Sequence, residues 1–191
     1  MKPCIGSRLA AGAIALLLCL IGAGAQADPF MLKSWAFEDN GLLAVKNAGN
    51  FKQNPDCVGD NISPPLNWLN PPPGTVSFVI TMTDPESFDG VRFSLVHWIG
   101  YGIPVAVTGF VEGELNGPSD KFVGGKSFGG SPFYFGPCTP AGDYHHYTFT
   151  LIATDLDPKA LEPALTREQV FERIKDHIKG AAGLIGRFKK P

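Results

Sequence analysis

Three ionisable side chains fall where strand alternation would turn them inward: Asp84, His97 and His145. Asp84 ends the row Val76, Phe78, Ile80, Met82 of an alternating run over 75–83. His97 sits among Phe93, Leu95 and Ile99, and His145 shares parity with Tyr147, Phe149, Leu151 and Ala153. Taken singly, an inward histidine is commonly a satisfied core group, and an Asp before Pro commonly caps a turn. Burying all three in one small chain is costly unless they meet. The alternation therefore predicts a shared pocket of one carboxylate and two imidazoles. Protonated imidazoles beside loop N–H groups would hold an anion, with the carboxylate orienting a histidine or accepting from a ligand ammonium. Below about pH 6.5, where unperturbed imidazoles charge, anion affinity should rise, and Asp84 should move that threshold upward. Neutral imidazoles plus the carboxylate would instead suit a divalent metal. No His-x-Glu or His-x-x-x-His spacing accompanies them, so the anion is the stronger reading and no metal is expected.

The elements that must position these groups are mostly strands. Residues 30–37 read as a first strand, and 41–46 as a second after the Asp39-Asn40-Gly41 turn. Residues 47–60 form a polar loop. Asn61-Ile62-Ser63-Pro64-Pro65-Leu66-Asn67-Trp68 is held extended by its prolines, at an edge or in a loop, and Asn61 heads a glycosylation sequon. Strands are predicted at 75–83 and 92–99, then loops with short strands over 100–136. The Pro/Gly-rich stretch Gly136-Pro137-Cys138-Thr139-Pro140-Ala141-Gly142 is a stiff loop running into a strand that reaches Thr154. Residues 157–161 suit one helical turn. Thr166-Arg167-Glu168-Gln169 is a capping box that opens a helix through Val170, Phe171, Ile174 and Ile178, closing at Gly180. A last strand falls at 184–188. There is no internal repeat and no linker that would divide residues 28–191.

The first 27 residues stand apart. Lys2 and Arg8 precede an apolar run from Leu9 to Ile21, and Ala25-Gln26-Ala27 offers a cleavage site before Asp28. This is the pattern of a secretory signal peptide, and it predicts an exported chain, periplasmic or secreted. Leu16-Leu17-Leu18-Cys19 hints at a lipoprotein signal, which a bulky Leu18 fits poorly. Across the chain 18 acidic residues face 16 basic ones with no basic stripe, which argues against nucleic acid as a partner. Cys4 and Cys19 leave with the leader, so Cys57 and Cys138 remain, an even pair in an oxidising compartment that predicts a disulfide. Gly125-Lys126-Ser127-Phe128-Gly129 matches the Gly-x-Ser-x-Gly of a hydrolase elbow, but the Gly/Pro-rich residues that follow are not helical as an elbow requires. No enzyme activity and no cofactor are expected.

Several of these pieces together resemble a known family. Asn61 to Trp68, Asp84-Pro85-Glu86, Val96-His97-Trp98, Ser127-Phe128-Gly129, Gly136 to Gly142 and His145-His146-Tyr147 occur in the order found in the phosphatidylethanolamine-binding proteins, specifically their bacterial Raf-kinase-inhibitor-like branch. The resemblance implies a mostly β chain folded as a two-sheet antiparallel sandwich, with a helix near the C-terminus. It also implies a small pocket for phosphate or a phospholipid headgroup. Carried over by motif, Asp84, His97, His145 and Tyr147 line that pocket, Thr139 and Pro140 form its rim, and Glu86 is a more peripheral wall. The resemblance leaves room for peripheral membrane contact. An alternative role is a protein-interaction module that inhibits a protease or another protein. The chain departs from the family's pattern at Glu86-Ser87-Phe88, Leu95, Thr139 and His146, where Asp-Ala-Pro, Trp, Pro and Arg are usual. The polar centre of the pocket is retained and its rim is altered.

Overall fold

A computed structural model describes residues 28–88 and 93–191. The predicted leader, 1–27, and the predicted strand start at Arg92 lie outside the described residues. In chain order the strands are β1 (Met31–Lys33), β2 (Gly41–Leu42), β3 (Leu66–Leu69), β4 (Ser77–Phe88), β5 (Phe93–Pro104), β6 (Gly109–Phe110), β7 (Val123–Gly124) and β8 (His145–Thr154). Helix α1 (Arg167–Ile174) and the strand β9 (Ile178–Phe188) complete the chain. They form a three-stranded sheet, β1-β3-β6, and a six-stranded sheet, β2-β9-β8-β4-β5-β7. The pairing is antiparallel as predicted, except that the two-residue β2 runs parallel to β9.

The main core lies between the sheets. Leu32, Trp68 and Phe110 of the small sheet meet Phe78, Ile80, Met82, Trp98, Phe149 and Leu151 of the large one. Trp68 makes edge contacts with both Phe78, at 5.4 Å, and Phe110, at 5.6 Å, a preferred aromatic geometry. The opposite face of the large sheet is covered too. Val79, Ile99, Tyr101 and Ile152 pack there against Leu165, Val170 and Ile174. As a result β4 is buried on both faces from Ser77 to Met82.

Several predicted boundaries move, each for a local reason. The first strand stops at Lys33 because Ser34 Oγ accepts the N–H of Ala36 and turns the chain. The second stops at Leu42. Asn47 Oδ1 accepts the N–H of Ala44 while its Nδ2 donates to Ile62 O, which winds residues 45–47 into a 3-10 turn. Pro64 and Pro65 precede the first paired residue, so the strand after them is the middle strand of the small sheet and not an edge. β4 runs on to Phe88 because a register shift between Asp84 and Phe88 accommodates Pro85. Residues 157–160 make a single hydrogen-bonded turn that does not extend into a helix, with Ala160 N donating to Asp157 O at 2.9 Å and Lys159 N to Asp157 Oδ1 at 2.8 Å. Helix α1 has the predicted capping box on Thr166 and Gln169, but it ends at Ile174. Ile178 instead pairs with Thr154 and opens β9, which begins six residues earlier than the predicted 184–188 strand.

Cys57 and Cys138 are bridged, with Cα atoms 4.3 Å apart across 81 residues of sequence. The bond fastens the loop around Cys57 to the stiff loop that precedes β8. A closed loop of this length corresponds to roughly 4–5 kcal/mol in the chain-entropy model. Alkylation without reductant should add no label at Cys57 or Cys138 by intact mass. The double variant Cys57→Ser, Cys138→Ser should lose about 2–5 kcal/mol of stability by denaturant titration. Two labelled thiols in the untreated protein would contradict the bridge.

Candidate functional site

The site gathers at one end of the large sheet, around Asp84. Asp84 continues the inward row of Phe78, Ile80 and Met82 and is almost fully buried. Its Oδ1 accepts the N–H groups of Glu86, at 3.0 Å, and Ser87, at 3.1 Å. Its Oδ2 accepts the Ser87 hydroxyl at 2.7 Å and His145 Nδ1 at 2.8 Å. A carboxylate has about four lone-pair sites, so this one is fully engaged by its own chain. Burial alone would raise its pKa. The bonds from His145 and Ser87, with the two nearby imidazoles, outweigh burial and hold the carboxyl below the usual aspartate value.

His145 opens β8 and faces the same side as Tyr147 and Phe149, as the alternation predicts. Because Nδ1 is turned to Asp84, Nε2 is the ring nitrogen left to meet a ligand. His97 reaches the site by a different route from the one its spacing suggests. Met82 pairs with Trp98 and Thr83 with Val96, which leaves His97 as the extra residue of a β-bulge. Trp98 and His97 thus both turn inward, while Ile99 crosses to the helix-covered face. The predicted row Phe93, Leu95, His97, Ile99 does not exist as one face.

His97 Nδ1 donates to the carbonyl of Phe135 at 2.8 Å. The ring stacks on Phe135, at 5.8 Å, and meets the edge of Tyr147 at 5.1 Å. Burial lowers the His97 pKa, and the Phe135 carbonyl and the Asp84 charge only partly offset it. This corrects the expectation that Asp84 raises the threshold for charging: desolvation wins at His97, and the ring is held neutral. Tyr147 is buried, and its hydroxyl shares a 2.7 Å hydrogen bond with Thr139 Oγ1. Burial, then the Asp84 charge, push its pKa far above the ordinary phenol value, so it stays protonated.

The rim residues fall in different places. Thr139 is buried and anchors Tyr147 rather than lying open to a ligand, while Pro140 beside it is exposed. Glu86 is exposed and holds His146, with Oε1 2.7 Å from Nδ1 and Oε2 accepting the His146 N–H at 3.2 Å. Asp84, Glu86 and His145 bring potential metal-ligand atoms within 4.8 Å of one another. The Asp84 acceptors are already taken by the N–H groups of Glu86 and Ser87, the Ser87 hydroxyl and His145 Nδ1.

Three supports escaped the sequence reading. Ser87 completes the Asp84 turn, and the Phe135 carbonyl fixes the tautomer of His97. Asn61, in the left-handed region at φ 59, sends Nδ2 to Tyr134 O and accepts the Gly136 N–H on Oδ1 at 2.8 Å. Its side chain is thus committed to hydrogen bonds within the fold, which leaves the amide of this sequon no free face for a glycan. A Cβ on Gly136 would lie 2.1 Å from Asn47 O, so only glycine lets this loop seat there.

The family model of the phosphatidylethanolamine-binding proteins matches residues 33–189. The chain belongs to that family. A UPF0098 protein of Methanothermobacter thermautotrophicus is 35% identical over 163 residues, covering 83% of this chain and 98% of the relative. LppC of Mycobacterium tuberculosis, named as a candidate lipoprotein, is 33% identical over 169 residues, covering 85% of this chain and 74% of its own. A Chlamydia trachomatis protein, described as a candidate phosphatidylethanolamine-binding protein homolog, has a solved structure that superposes with a TM-score of 0.72. It is 30% identical and covers 85% of this chain and 98% of its own. Family membership agrees with the two-sheet architecture and with the motifs Asp84-Pro85-Glu86, His97 and His145-His146-Tyr147, which come together at one end of the large sheet.

The His97 environment has a definite pH signature. The unfolded chain takes a proton near pH 6.5, whereas the buried ring resists it. The stability that neutral His97 contributes is therefore complete above about pH 6.5 and is lost as pH falls toward its lower folded value. Melting temperatures measured from pH 8 to 5 should fall more steeply for the wild type than for His97→Gln. Parallel curves would contradict a buried neutral ring.

Proposed function

We propose that the protein is an exported, non-enzymatic binding protein whose pocket at His145, His97 and Tyr147 takes a phosphate-bearing group, either free phosphate or a phospholipid headgroup. The observation that carries this reading is the fully engaged Asp84 carboxylate. It spends its acceptors on fixing His145, so Nε2 of that ring faces the ligand in a set orientation without a ligand contact of its own. Asp84 is then a positioning residue. His97 and Tyr147 form the surrounding wall, Thr139 steadies Tyr147 from behind, and Glu86 lies farther out with His146. Placement of hydrogen-bonding groups before the ligand arrives lowers the ordering cost of binding. Export is supported by the leader pattern, by a disulfide suited to an oxidising compartment, and by likeness to a candidate lipoprotein.

Calorimetric titration of the protein with phosphate and with phosphoethanolamine at pH 6 tests the reading. Both should give saturable heat that His145→Ala abolishes. Equal affinity for the two would assign the site to free phosphate, and tighter binding of phosphoethanolamine would assign it to the headgroup. No heat with either ligand, or heat unchanged in His145→Ala, would overturn the pocket as a phosphate site and favour the protein-interaction role.

A further inference from the structure

The outer edge of β9 is covered for only part of its length. Its pairing with β8 has no register shift between Gly180 and Phe188, so its backbone groups alternate regularly between β8 and the outer edge. At one end the outward groups are taken. Leu43 N donates to Arg187 O, Asn40 N donates to Ile185 O, and Ile185 N donates to Asp39 Oδ1. By the same alternation the N–H and C=O groups of Ala181 and Gly183 point outward. β2 stops short of them, because it pairs only with Gly186 and Arg187. Both residues are exposed. An open edge is normally blunted by a charge, a proline or a bulge, and Gly180-Ala181-Ala182-Gly183 carries none of these. A cavity of about 620 Å³ lies alongside, bounded by β1, the loop after it and residues 181–184. Phe30, Leu32 and Phe37 give it an apolar wall, and Lys33, Glu38 and Asp39 give it an excess of one acid. Trp35 stands in the same loop, between Ser34 and Phe37, and is 67% exposed, whereas Trp68 and Trp98 are buried. Exposed tryptophans are frequent anchors of protein interfaces.

We propose that this groove binds an extended peptide segment of a partner protein, which adds as a strand to β9 at Ala181 and Gly183. Donors and acceptors alternating along an edge are complementary to another extended backbone, whereas an anion would use the donors alone and leave the carbonyls unpaired. The same edge already accepts a strand a few residues further along, where β2 pairs with it. β1 bounds the groove on its far side, which suits a single strand rather than the edge of a second copy. The wall of Phe30, Leu32 and Phe37 calls for apolar residues at every second position of the peptide, and the acidic excess calls for a basic flank. The groove shares no residue with the site around Asp84, and the proposal does not rest on the phosphate reading.

The probe is the acetylated and amidated heptapeptide Lys-Thr-Val-Thr-Val-Thr-Lys, titrated into the isotope-labelled protein. Trp35 emission should move to shorter wavelength and saturate. With the peptide at about ten times its dissociation constant, amide exchange at Ala181 and Gly183 should slow about tenfold. An analogue N-methylated at its three central residues should bind about tenfold more weakly, as loss of one or two backbone bonds implies. Gly183→Ala, whose Cβ meets nothing closer than 3.9 Å, should bind as the wild type does. Gly183→Pro, which removes one edge N–H, should bind about tenfold more weakly. Glutamate in place of both lysines of the peptide should also weaken it. His145→Ala should change none of these results, which keeps failure here apart from failure of the phosphate site. No saturable change would overturn the groove as a peptide site. Undiminished binding of the N-methylated analogue, or binding without protection of Ala181 and Gly183, would overturn strand addition. Protection of both amides in a dimer without peptide would assign the edge to a second copy instead. Equal binding of the glutamate peptide would overturn the preference for a basic flank.

Discussion

A buried carboxylate with every acceptor position filled is the constraint around which this end of the molecule is arranged. Asp84 is carried inward by β4, the strand buried on both faces, so its backbone has little freedom to move away. An ionised group at that depth is tolerable only when hydrogen bonds replace the lost water. Ser87 and the N–H groups of residues 86 and 87 supply three of them from the same strand, and His145 supplies the fourth from β8. The bond to His145 crosses from the β4 turn to the start of β8, so the electrostatic need of Asp84 also fixes where β8 begins and which nitrogen of His145 faces outward.

The rest of the site follows from two further devices. A β-bulge in β5 admits an extra residue, and this allows His97 and Trp98 to face the same side. Trp98 fills the core while His97 reaches the site. The stiff loop before β8 then closes over His97 and Tyr147. It is pinned by the Cys57–Cys138 bridge, by the Asn61 side chain at Gly136, and by Thr139 on the Tyr147 hydroxyl. The two imidazoles therefore have different characters. His145 is held by a carboxylate, and His97 is held by a carbonyl in a dry, aromatic setting that keeps it neutral.

Legibility in the sequence tracked the regularity of the backbone. Asp84, His145 and Tyr147 lie on unbroken alternation, and their inward placement could be read directly. The joint cost of burying three ionisable groups correctly brought His97 inward to them, but its row does not run on through Ile99, because the extra residue in β5 reverses the alternation beyond it. The run Gly180-Ala181-Ala182-Gly183 lacked the bulky residues that mark a strand. A Cβ on Gly180 would lie 2.9 Å from Pro72 Cγ, so the small residue there lets the Pro72 loop close against β9. Ser87, the Phe135 carbonyl and the Glu86–His146 pair were not legible in advance. Each depends on a turn or a long-range approach rather than on periodicity. Thr139 could be placed near the pocket by motif, but its bond to Tyr147 required the fold.

The most direct measurement is a crystal structure of the protein soaked with phosphoethanolamine. It should show a phosphate oxygen within hydrogen-bond distance of His145 Nε2, with His145 Nδ1 still on Asp84 and the Ser87 bonds intact. A ligand bonded to Asp84 itself, with His145 displaced, would contradict the assignment of Asp84 as the positioning group. An empty pocket beside a ligand bound elsewhere would contradict the site.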